Sequence, residues 1–136
     1  MTEVSQDELD GLVRAAHDAR SRAYAPYSEF TVGAAVLAGG TVYSGCNVEN
    51  ASYGLSICAE RVAATTAVAV GERRIDAVAV VGSGDRPTPP CGACRQFLNE
   101  FGPAMPVAAE TPDGRREVWR LDNLLPHAFG PDFLSG

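Results

Sequence analysis

The chain has 136 residues, 46% of them hydrophobic, enough for a single domain over residues 1–136 to bury a sizeable core without disulfide staples. Seventeen acidic against eleven basic residues give a formal net charge of -6, which repels a phosphate backbone, so no nucleic acid is expected as a partner. No stretch approaches the roughly 20 uninterrupted apolar residues of a membrane span, so no membrane partner is expected either.

From the amino end, Gln6 to Arg22 places Leu9, Leu12, Val13, Ala16 and Ala19 at spacings of three and four, which predicts an amphipathic helix. Ser5, with Glu8 three places on, reads as its capping box. Tyr24 to Ser28 reads as a loop, because Pro26 disfavours helix in the residue before it. Phe30 to Leu37 and Thr41 to Tyr43 read as a hairpin turning at Gly39-Gly40. The alanine-rich Cys58 to Val70 predicts a buried helix, and the aliphatic run Ile75 to Val81 a strand covered on both faces. Cys91 to Phe101 predicts a further helix, closed by Gly102-Pro103. Pro106 to Ala109 and Glu117 to Leu121 predict strands around the turn Pro112-Asp113-Gly114, and Leu121 to Leu125 a short helical turn. This order implies an α/β fold with a mixed sheet of about five strands between helices.

The cysteines carry the chemistry. Met1 to Asp10 is acidic and polar, without the basic start and apolar core of a leader, so reduced thiols in the cytoplasm are expected rather than a disulfide framework. Cys58-Ala59-Glu60 is followed by Pro90-Cys91-Gly92-Ala93-Cys94-Arg95-Gln96, three thiols and one carboxylate at a spacing that suits an open zinc site. Zinc held by three protein ligands keeps its fourth position for water, and a Glu that is not a ligand can move protons beside it. A closed structural site normally has four protein ligands, and only three cysteines here have suitable spacing. Cys58 opens one predicted helix and Cys91 and Cys94 open another, where unpaired backbone NH groups favour thiolate. Three thiolates weaken the ion as a Lewis acid, and Arg61 is the candidate to draw charge back, with Arg95 a weaker second. Cys46 has no partner spacing and is expected to pack. His17 and His127 lie off ligand spacing and are expected to be surface or packing residues.

These motifs resemble those of the small cytidine deaminases that assemble as homotetramers. Cys-x-Glu with a downstream Pro-Cys-x-x-Cys is the known signature of the zinc deaminases. The resemblance runs from Tyr24 through Gln96 and resumes at Leu124-Leu125-Pro126. Besides the two cysteine blocks it is carried by Phe30-Thr31-Val32-Gly33-Ala34-Ala35 and by Asn47-Val48-Glu49-Asn50-Ala51-Ser52-Tyr53-Gly54. It implies a three-layer α-β-α sandwich and one Zn2+ per chain on Cys58, Cys91 and Cys94, with Glu60 as the proton carrier. The implied reaction is hydrolytic deamination of cytidine and 2'-deoxycytidine in pyrimidine salvage. By the same resemblance Asn47 and Glu49 hold the ribose and Tyr53 belongs to the sugar pocket. Phe30 packs beside the pyrimidine and sugar, and the backbone at Ala59 receives polar atoms of the base. Phe129 resembles the aromatic that a neighbouring subunit contributes, so that active sites are shared within the homotetramer. From the residues alone, Asn47 and Glu49 also read as turn residues after a strand, Phe30 as core and Phe129 as tail packing. A deaminase of another cytosine-bearing compound, such as the antibiotic blasticidin S, is the alternative, and the intact Asn47 to Tyr53 stretch argues against it.

Overall fold

Ser5 caps the first helix as its sequence predicts. Its hydroxyl accepts from the Glu8 amide at 3.1 Å, and the Glu8 carboxylate accepts from the Ser5 amide at 2.9 Å. The computed structural model describes residues 3–134. Helix α1 (Gln6–Arg20) stops two residues short of the expected end, where the Ser21 hydroxyl bonds the Asp18 carbonyl. Strands β1 (Val32–Ala38) and β2 (Thr41–Cys46) form the predicted hairpin, and Gly39 and Gly40 supply its two positive φ angles, 58° and 79°. The remaining elements are α2 (Ala59–Ala69), β3 (Ala77–Gly82), α3 (Gly92–Asn99), β4 (Pro106–Glu110), β5 (Arg116–Arg120) and α4 (Leu121–Leu124). Two single turns of tight helix, Tyr53–Leu55 and Pro131–Phe133, complete the chain and carry no periodicity that a sequence reading could detect.

The five strands lie in the order β2-β1-β3-β4-β5, with β3 and β4 parallel and every other pair antiparallel. Alternation along the strands divides the core in two. Ala34, Val36, Ala38, Val78 and Val107 pack with Ala59, Ala63, Ala64 and Ala67 of α2 and Leu98 of α3. Ala35, Leu37, Ala77, Ala79, Val81 and Ala108 pack with Leu9, Leu12, Val13 and Ala16 of α1. The result is the expected three-layer α-β-α sandwich around a mixed sheet. Each large aliphatic side chain sealed in these clusters contributes about 1.5–3 kcal/mol, and Leu12, Ile75 and Leu98 are among the largest.

Small residues set how closely the layers approach. A Cβ on Gly33 would sit 2.0 Å from the Ala16 carbonyl oxygen and 2.4 Å from the Arg20 nitrogen, so α1 lies directly on the strand there. Gly33→Ala is therefore expected to destabilise the fold by at least the 1–3 kcal/mol or so of an overpacked core, read as a lower urea midpoint. An unchanged midpoint would show that α1 has room to shift.

The sheet also decides where chemistry can occur. Gly33 pairs with Cys46 on one side and with Val81 on the other, so β2 and β3 leave the sheet along the same edge. The segments that follow begin α2 and α3 there, and in such sheets ligands gather outside the carboxyl ends of parallel strands.

Candidate active site

Cys58 and Cys91 occupy the residues just before α2 and α3, and Cys94 lies in the first turn of α3. Their sulfurs all fall within 4.8 Å of one another, with Cys58 and Cys91 Sγ 3.9 Å apart. Two sulfurs each about 2.3 Å from one tetrahedral zinc stand about 3.8 Å apart, so the donor set fits that ion in both type and span. The Cys94 thiol, hydrogen-bonded to Cys58, holds the Cys58 pKa down to about 5; burial opposes this, and Arg61 and Cys91 add to it. Cys94 is raised in turn by the same bond to Cys58 and by burial. A cation bound among these sulfurs would favour the thiolate form that metal ligation requires.

Arg61 donates from Nη2 to Cys58 Sγ at 3.6 Å, and its Nε is buried without a partner among the described residues. Its guanidinium lies where it can draw charge from the sulfurs. Arg95, the second candidate for that role, is placed differently. Its Nε bonds the Pro90 carbonyl at 2.7 Å and its Nη1 the Leu124 carbonyl at 2.9 Å, so it ties the loop before Cys91 to α4. Cys46 donates to the Arg22 carbonyl at 3.5 Å and is no member of the cluster. His17 meets Glu110 at 2.9 Å, in a network with Arg116 and Asp10, and His127 stands exposed in a loop at φ 57°.

Glu60 lies in the first turn of α2, only 5% exposed. Burial pushes its carboxyl up to about 7, and the negative charge at Cys58 adds to the rise while its own backbone NH and Arg61 oppose it. A carboxyl poised there can both accept and return a proton near neutral pH. Ala59, fully buried beside it, has a backbone NH with no intrahelical partner, as at the start of any helix.

A second group of residues forms a cavity of about 430 Å3 lined by Tyr27, Ser28, Glu49, Tyr53 and Ser56. Glu49 Oε1 accepts from the Tyr27 and Ser28 amides at 3.0 and 3.1 Å, and Oε2 accepts from the Ser28 hydroxyl. Tyr27 and Tyr53 meet edge to face with ring centres 6.1 Å apart. Asn47 works mainly on the backbone: its Oδ1 accepts from the Val32 amide and its Nδ2 donates to the Phe30 carbonyl, each at 2.9 Å. One of its N–H bonds remains for another acceptor. Phe30 lies just before β1 rather than within it, 38% exposed, with its ring over Gly82 and Gly84 at the end of β3.

Tyr27 and Ser28, which the sequence predicts only as loop, also line this cavity. Pro26, which fixes the turn, is the one sequence signal that points to them. Phe129 does not line this cavity in its own chain. It is 56% exposed, stacks on Phe133 at 5.4 Å, and its carbonyl accepts from Gln96 on α3 at 2.6 Å. A slightly larger cavity, about 490 Å3, opens at the opposite edge of the sheet beside Ile75, Met105 and Arg120, and a cysteine lines neither of the two. Among the described residues no helix is long and apolar enough to cross a membrane.

Residues 6–110 match the family described as the cytidine and deoxycytidylate deaminase zinc-binding region. The cytidine deaminase of Sporosarcina psychrophila is 45% identical over 130 residues, covering 94% of this chain and 96% of its own. That of Halalkalibacterium halodurans is 48% identical over 126 residues, covering 91% and 96%. Among solved structures, that of cytidine deaminase from Burkholderia pseudomallei matches with a TM-score of 0.85 and 48% identity, covering 95% of this chain and 100% of that one.

Proposed function

This chain belongs to the cytidine and deoxycytidylate deaminase family, and we propose that it hydrolyses cytidine and 2'-deoxycytidine to uridine and 2'-deoxyuridine with release of ammonia. The observation that carries the reading is the convergence of three sulfurs from two helix starts with the buried Glu60 in the first turn of one of them. Cys58, Cys91 and Cys94 would hold one zinc per chain. Bound there, zinc supplies a Lewis acid with a position open to water.

The protein's own groups do the rest. Glu60 takes a proton from the attacking water and delivers it to N3 of the pyrimidine as oxygen adds at C4. It then carries a second proton to the departing amine, the bond from C4 to that nitrogen breaks, and ammonia leaves. Burial of Glu60 keeps bulk water from competing for these protons. Arg61 offsets part of the thiolate charge. The free N–H of Asn47 and the Glu49 carboxylate take the ribose 3'-hydroxyl, which both nucleosides possess. Phe30 packs against base and sugar, Tyr53 closes the sugar pocket, and the Ala59 amide meets a polar atom of the base.

We read residues 1–136 as one domain that works in a homotetramer. Tyr53 and Leu55 in one turn, and Phe129, Phe133 and Leu134 near the end of the described chain, are 56–78% exposed, and large exposed apolar groups gathered in this way usually mark an interface in soluble proteins. A neighbour's Phe129 would complete the base pocket, and a fully active monomer by light scattering would refute that. The proposed setting is pyrimidine salvage in the cytoplasm.

An ultraviolet assay with cytidine, deoxycytidine, cytosine and dCMP side by side tests the substrate class. Turnover is expected for the two nucleosides only. The sugar cavity is lined by a carboxylate and no basic residue, which disfavours a 5'-phosphate, and free cytosine forgoes the sugar contacts. Faster turnover of dCMP or cytosine would overturn the nucleoside assignment.

A further inference from the structure

We infer that Ser28 is a positioning residue that sets the enzyme's discrimination for a sugar 3'-hydroxyl, by fixing the Glu49 carboxylate that accepts it. This rests on the reading of Glu49 as a sugar contact. A glutamate at a cavity wall has several rotamers to choose from, and ordering it is entropically unfavourable unless donors meet both oxygens. The Pro26-Tyr27-Ser28 turn provides them. The two main-chain amides converge on Oε1, while the Ser28 hydroxyl donates to Oε2.

The same hydroxyl oxygen accepts from the Phe30 amide at 3.0 Å, so one side chain connects the carboxylate to the residue read as packing beside the nucleoside. Glu29, between them, is held in the left-handed region at φ 61°, which turns the chain back tightly enough for Ser28 to reach Phe30. Three donors fill three of the roughly four acceptor sites of a carboxylate, leaving about one for a ligand hydroxyl. These bonds, the Ser28 hydroxyl foremost, keep the Glu49 carboxyl below its ordinary pKa against the opposing effect of burial, so that it stays an acceptor.

The test compares cytidine with 3'-deoxycytidine in the intact enzyme. Ser28→Ala is expected to raise KM for cytidine about tenfold, the usual effect of losing a hydrogen bond to a charged group. Its kcat should stay within about twofold, since the contact is made equally in the ground state and the transition state. 3'-Deoxycytidine never used the contact and shares only the loss of the Phe30 anchor, so the preference for cytidine over it should fall about tenfold, and its continued turnover also shows that the variant is folded. Ser28→Thr, which keeps a hydroxyl, should restore most of the preference.

If Ser28→Ala weakens both substrates alike, or leaves the preference for cytidine intact, the positioning role is overturned. Glu49→Gln then tells which claim failed. Should that variant lose the preference, Glu49 reads the sugar without help from Ser28; should it keep the preference, the sugar-site reading of Glu49 has failed as well.

Discussion

Glu60→Gln is expected to leave the fold and the zinc content unchanged while lowering turnover by several orders of magnitude. The amide has the shape of the acid and suits a site only 5% exposed. A carboxyl pushed up to about 7 is already partly neutral near that pH, so losing its charge should cost the fold little. What disappears is the proton it carries. General acid-base transfer is typically worth about a hundred- to ten-thousand-fold, and here one group serves two transfers, to N3 of the ring and to the leaving amine. Activity within about tenfold of the parent in a folded, zinc-loaded Glu60→Gln enzyme would place the proton carrier elsewhere.

Cys91→Ala should remove the metal altogether. Two sulfurs remain where an open tetrahedral site needs three protein ligands, and zinc affinity depends on the full donor set. Zinc measured on the purified variant is expected to fall from one per chain to near zero, with turnover lost alongside it. Cys46→Ser is the control, since Cys46 faces the Arg22 carbonyl and lies outside the cluster, and it should retain both metal and activity. Stoichiometric zinc in Cys91→Ala would refute the ligand set.

Local signals in the sequence mapped onto this fold well. The Ser5 and Glu8 capping box forms both of its bonds, and the glycine pair turns the hairpin where it should. The cysteines were legible for the same reason, because each pair or single thiol sits at a helix start that its own neighbours specify. Features set by distant residues were not. Strand β2 continues through Ser44 and Gly45 to Cys46, because those residues complete the ladder to β1, and Gly45 lets α2 press close enough that a Cβ would sit 2.6 Å from the Ala63 nitrogen. Phe30 reads as the first strand residue from its neighbours, yet the chain turns at Ser28 and Glu29 and leaves it beside the site. Ser28 and Glu49 are 21 residues apart and Arg95 and Leu124 are 29 apart. No periodicity links such pairs; only the assembled fold brings them together.

The central claim, hydrolytic deamination at the three-thiol cluster, is tested most directly by the origin of the new oxygen in the product. Cytidine incubated with the zinc-loaded enzyme in water labelled with oxygen-18 should yield uridine carrying one labelled oxygen at C4, with one ammonia released per uridine. The zinc-loaded Glu60→Gln enzyme, run in parallel, should yield almost none. Unchanged cytidine, or uridine without the label, would contradict the mechanism.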